Sequence, residues 1–193
     1  MPTHSEGRPL SSNPSNLHKQ NSPEADVWHA ENRSLHETDL APTGEPNSYG
    51  YDENGIRLPY ANDRPKIPLH VIIEVWHRCR GSQLDEIRNG DLALPEPGPN
   101  QMYVKLHPHD HSHTNVFEAN DARWRIVEWD PNNPMSPRDW DMGHISGHEY
   151  WRLRAEYLGE HKDLEYFLKD YLNPENYEVS DPLRNRSHED ELA

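Results

Sequence analysis

The sequence predicts an α+β domain over residues 58–193, preceded by a disordered arm or linker over residues 1–57. Three observations lead there. Apolar residues recur at helical spacing in two long stretches, they alternate in short stretches between these, and neither period is sustained before residue 58. Composition agrees: only 32% of 193 residues are hydrophobic, 18 are Pro and two are Phe, which is too lean for one core to hold the whole chain. Six Trp and nine Tyr still require a core somewhere.

The arm contains runs such as Ser11-Ser12-Asn13-Pro14-Ser15-Asn16 and Ala41-Pro42-Thr43-Gly44-Glu45-Pro46-Asn47, which bury too little to offset chain entropy. Its alternative role is a docking segment that orders on a partner through Val27-Trp28 and Tyr49-Gly50-Tyr51. The first strong element runs from Pro68 to Arg80. Leu69, Ile72, Ile73, Val75 and Trp76 fit a helix docked on the core, their β-branching leaves a strand open, and Gly81 is expected to end it. A Pro/Gly loop follows from Asp85 to Gln101, then a short strand from Met102 to Leu106. Arg123 to Trp129 alternates as a strand, Asp130-Pro131-Asn132-Asn133-Pro134 is a turn cluster, and Trp140 to Ile145 is expected to return as the second strand of that hairpin. Gly147 to Tyr171 is helical with a break at Gly159, and Pro174 closes it. A last short helix is expected to start near Asn185 and to include His188 and Glu191.

Several classes are excluded or disfavoured. No stretch approaches the roughly 20 apolar residues of a membrane helix. The first 30 residues lack an apolar core segment, so no signal peptide is expected. The single Cys79 excludes an internal disulfide framework and a Cys-based zinc knuckle. With 19 Lys and Arg against 34 Asp and Glu, a formal charge of −15, the chain is no general coater of phosphate backbones.

The chemically informative segments are Trp140-Asp141-Met142-Gly143-His144-Ile145 and Asn185-Arg186-Ser187-His188. Phosphodiester hydrolysis needs a base for water, which a histidine near neutral pKa supplies. It also needs an electrophile for the departing alkoxide, which a hard cation on carboxylate and amide oxygens supplies. Asp141 and His144 at a strand end, facing Asn185 from a helix, would provide both, with Gly143 bending the strand so that alternation need not separate them. The plainer alternatives are a turn Asp, a core His and an N-cap Asn.

Five runs occur in order: Trp129-Asp130-Pro131, Trp140 to His144, Gly147-His148-Glu149-Tyr150, Asn173-Pro174-Glu175-Asn176-Tyr177, and Asn185 through Glu191. Together they resemble the GH-E nucleases of the HNH/endonuclease VII superfamily, which commonly form C-terminal domains of bacterial polymorphic toxins. The resemblance implies a ββα-metal core with extra helices and a DNA-cleaving endonuclease. It makes His144 the general base, Asp141 and Asn185 metal ligands, and His188 a third ligand or phosphate contact. Asn176 would orient His144, Glu191 would be the closing acidic residue, and Arg184 and Arg186 would grip phosphate. It further implies Mg²⁺ or Mn²⁺ as the metal, with Zn²⁺ or Ni²⁺ as alternatives. DNA is the expected substrate, RNA being the alternative, and a cognate immunity protein the expected partner. The toxin would be made in the cytoplasm and delivered to a target cell by a specialised secretion system. The acidic charge favours a competing reading, a non-catalytic inhibitor or DNA mimic.

His107-Pro108-His109-Asp110-His111-Ser112-His113 carries four imidazoles on alternate positions, a spacing that can hold zinc or nickel. The expectation is nonetheless a solvated loop outside the catalytic machinery. Trp28, Trp76, Trp124, Trp129, Trp140 and Trp151 are expected to pack the core or the hairpin before they stack on bases. His148 is expected to open a helix beside Glu149.

Overall fold

The computed structural model describes residues 39–159 and 163–187. Helix α1 (Leu69–Asn89) is followed by strands β1 (Gln101–Lys105), β2 (Phe117–Ala119), β3 (Ala122–Glu128) and β4 (Asp141–His144). Helices α2 (Tyr150–Gly159) and α3 (Leu164–Tyr171), a 3₁₀ turn (Pro174–Asn176), strand β5 (Tyr177–Ser180) and helix α4 (Pro182–Ser187) complete the order. The mixed α+β class is as expected, and no described helix is long and apolar enough to cross a membrane.

Helix α1 runs through Gly81, where the sequence reading stopped it. An isolated glycine costs a helix only about 1 kcal/mol, and the next turn is anchored by buried Gln83 and Leu84. Gln83 donates from Nε2 to the Tyr103 carbonyl and accepts at Oε1 from the Tyr103 amide, so it caps the free edge of β1. The real stop is Gly90, in the left-handed region at φ 83°, whose amide donates to the Ile87 carbonyl.

The strands form two sheets and not the expected hairpin. β3 lies between β1 and β2, pairing Met102 with Val127 and Phe117 with Trp124. Both its edges are therefore occupied, and β4 needs another partner. It finds β5, with Asp141 opposite Ser180, Gly143 opposite Glu178 and His144 opposite Tyr177. Helices α2 and α3 are inserted between these two strands, and α4 follows at once. The ββα unit is thus β4, β5 and α4, closed over a long connection.

Trp76 of α1 meets Trp129 and Trp140 in the main core, with ring centroids 5.5 and 5.3 Å away, and the latter two lie 5.4 Å apart. All three are buried, as the sequence reading expected of them. Val71, Val75, Met102, Val127, Tyr177 and Val179 fill the space around them. A second cluster joins Tyr150, Leu153, Tyr157 and Leu158 of α2 to Phe167 and Tyr171 of α3.

Of the expected arm, residues 1–38 lie outside the described residues. From Asp39 to Arg57 the chain is structured rather than disordered. Thr43 bridges Ile56, Tyr51 bridges Arg57, and the Gly50 amide donates to the Leu158 carbonyl of α2. Tyr51 is buried in this fold. Such bridges leave no period in a sequence, which is why the stretch read as formless.

Candidate functional site

β4 and α4 bring together residues that are far apart in sequence. Asn185 Nδ2 lies 3.5 Å from Asp141 Oδ2 across 44 positions. Arg186 Nε stands 3.6 Å from the same carboxylate oxygen. Gly143 makes the close approach tolerable: a Cβ there would sit 2.9 Å from Asn185 Oδ1 and 3.2 Å from the Ser180 Cβ. The carboxylate of Asp141 and the amide oxygen of Asn185 are hard donors of the kind that Mg²⁺ or Mn²⁺ takes. Nδ2 of Asn185 faces the carboxylate and Oδ1 lies toward Gly143, so the two residues match such an ion in the kind of donor.

His144 stands three residues further along the same strand. The β4–β5 register is regular, so alternation is kept and Gly143 introduces no bulge. Asp141 and Gly143 face α4, whereas Met142 packs toward the core with Val179. The His144 ring packs on its strand partner Tyr177 at 4.5 Å between centroids, with Tyr171 at 6.4 Å. Burial pushes the phenol of Tyr177 far above its ordinary range, and its hydroxyl donates to the Tyr171 carbonyl at 2.6 Å. That phenol therefore stays protonated and forms one wall of the histidine's seat. A cavity of about 520 Å³ opens beside it, lined by Arg78, Lys105, His144, Ser180 and Arg184, with Glu86 and Glu178 at its sides.

The other expected residues divide. Asn176 is buried, but its side-chain amide donates to the carbonyl and the carboxylate of Asp170, and only its backbone carbonyl reaches the strand, accepting from the Ile145 amide at 3.1 Å. It supports the strand end. Asn185 is not an N-cap, because α4 begins at Pro182 and Asp181 Oδ1 accepts from the Leu183 and Arg184 amides. Arg184 is buried and Arg186 exposed. His188 and Glu191 lie outside the described residues.

Three residues that position this site escaped the sequence reading. Arg125 of β3 donates from Nε to Asp181 Oδ2 at 2.8 Å and from Nη1 to Asp139 Oδ2 at 2.8 Å, tying the first sheet to the start of α4. Nothing in a strand that alternates ordinarily marks its one buried arginine. Glu149 is fully buried, accepts from the Gly147 amide at 2.9 Å and pairs with Arg152 at 2.9 Å, fixing the turn after β4. The run Gly147-His148-Glu149 was the signal that could have found it.

Residues 127–191 match the family model of GH-E, described as HNH/ENDO VII superfamily nuclease with conserved GHE residues. No curated protein and no solved structure matches the chain. Within the matched residues fall β4, β5, α4 and every expected site residue. Over residues 127–191, about a third of its length, the chain is therefore similar to the GH-E nucleases of the HNH/endonuclease VII superfamily.

Proposed function

We propose that the protein is a divalent-metal-dependent endonuclease that hydrolyses DNA, acts as a bacterial toxin effector and is neutralised in its producer by an immunity protein. The observation that carries the reading is the meeting of Asp141 and Asn185 across 44 positions, on the strand that ends in His144. Asp141 and Asn185 would hold the metal, with His188 as a further ligand. When bound, a Mg²⁺ or Mn²⁺ ion there supplies positive charge for the departing alkoxide oxygen.

His144 is the base assigned to the attacking water. Regular alternation sets it on the other face of β4 from Asp141, so the substrate would have to reach both round the strand end, and the wall made by Tyr177 and Tyr171 limits how the ring can turn. Among the described residues Arg186 makes a long contact of 3.6 Å to Asp141 and has an exposed side chain, so its donors could reach a phosphate oxygen. Arg78, Lys105 and Arg184 line the cavity next to His144, giving a local basic strip in an otherwise acidic protein. That strip favours the nuclease over the acidic inhibitor. Delivery by a specialised secretion system follows from the toxin reading alone.

The test is incubation of supercoiled plasmid with the purified full chain and Mg²⁺, with and without EDTA. Nicking and linearisation that EDTA stops are expected. Cleavage that survives EDTA would overturn the metal role, and cleavage of RNA in place of DNA would overturn the substrate.

A further inference from the structure

The His-rich run is the largely exposed loop expected of it, but it is anchored at one buried residue. Asp110, at its centre, is buried, with its Oδ1 accepting from the Ser112 amide at 2.9 Å and from the Ser112 hydroxyl at 2.6 Å. Arg123 donates from Nη1 to the Asp110 backbone carbonyl and so fixes the loop on β3. The second oxygen, Oδ2, faces the Nε2 of half-exposed His113 at 3.3 Å. Across from both stands buried Asp181, the residue that opens α4. One ligand atom from each of Asp110, His113 and Asp181 lies within 4.8 Å of the other two.

Two buried carboxylates this close repel one another unless a cation or a shared proton offsets their charge. Arg125 meets one oxygen of Asp181, and the amides of Leu183 and Arg184 meet the other. A carboxylate has about four lone-pair sites, so Asp181 keeps acceptor capacity beyond these three bonds. Arg123 engages Asp110 through its carbonyl, which leaves the Asp110 Oδ2 to an imidazole. Tetrahedral zinc, about 2.0–2.2 Å from nitrogen and oxygen ligands, holds neighbouring ligand atoms about 3.3 Å apart. The Asp110–His113 pair already has that separation.

We propose that Asp110, His113 and Asp181 form a zinc site, completed by water, that clamps the 107–113 loop to the start of α4. It is separate from the Asp141–Asn185 pair. Its role is structural: α4 carries Asn185 and Arg186, and the clamp fixes the end from which they project. The imidazole nitrogen beside two carboxylate oxygens favours zinc over Mg²⁺ or Ca²⁺, which take oxygen ligands.

The experiment uses the full chain carrying His144→Ala, so that binding is read apart from cleavage. The protein is stripped of metal, and Zn²⁺ is titrated against a chromogenic chelator; circular dichroism checks each fold. The background chain should bind zinc with one site that weakens at least about tenfold in both His113→Ala and Asp110→Asn. A triple His107→Ala, His109→Ala, His111→Ala variant should keep it. His113 is half-exposed, so its removal leaves the packing intact. Unchanged affinity in His113→Ala, absence of zinc binding in the background chain, or loss of the site in the triple variant would each overturn the proposal.

Discussion

Asn185 and Gly143 occupy one another's space: the amide oxygen lies 2.9 Å from where a Cβ on residue 143 would be. Gly143→Ala therefore displaces Asn185, the tip of a movable side chain, more readily than it disrupts the strand. The expected result is a small loss of thermal stability and a fall in cleavage of about 10²-fold, the cost of a misplaced site group. Melting curves and initial cleavage rates on one preparation measure both.

In the proposed mechanism Asp141 supplies the charged donor to the metal. Asp141→Ala should raise the Mg²⁺ concentration needed for half-maximal cleavage, and added Mg²⁺ should recover part of the rate. Folding should hardly change, because its contacts to Asn185 and Arg186 are long, at 3.5 and 3.6 Å. A metal titration of initial rates reads the effect directly.

Arg125 is a different case, since its guanidinium is buried against Asp181. Arg125→Met should cost about 3–5 kcal/mol, because Asp181 would keep a buried charge with its cation gone. Urea denaturation measures it. Loss of under about 1 kcal/mol would mean that the Asp139 and Asp181 contacts are marginal.

Acid should act through Asp110. The Ser112 hydroxyl first and the Ser112 amide second hold its carboxyl below the ordinary range, against burial, which raises it. A carboxyl lowered in the folded state adds stability above its unfolded pKa of about 3.9, and that stability is lost as pH falls through the folded value. In metal-free buffer, the stability gap between wild type and Asp110→Asn should be full at neutral pH and should shrink as pH falls below about 4. Urea midpoints across pH follow the gap.

Much of the fold was legible because its signals are local. The apolar spacing of Leu69 to Trp76, the alternation of Arg123 to Trp129 and the break at Gly159 each depend on neighbours in sequence. The hairpin of β3 with β4 was misread for the opposite reason: strand choice depends on which edges are free, and β1 and β2 had taken both edges of β3. Tyr177-Glu178-Val179-Ser180 was overlooked as a strand because it is only four residues long and follows a 3₁₀ turn. Gly81 misled because a glycine weakens a helix without ending it, whereas Asn89-Gly90 supplies a left-handed cap.

The site was legible in part for a similar reason. Asp141 and Asn185 could be paired by their chemistry before any distance was known. The sharper expectation, that Gly143 would bend His144 onto the same face, was not met, because the β4–β5 register remains regular. Asp181 and Arg125 stayed hidden because a buried ion pair leaves no sequence period.

The most direct measurement of the central claim is single-turnover plasmid cleavage by His144→Ala beside wild type, at saturating Mg²⁺ and with matched far-ultraviolet circular dichroism. Loss of a general base costs about 10²–10⁴ in rate, so the account predicts cleavage barely visible on a gel with an unchanged fold. Wild-type rates in His144→Ala would contradict it.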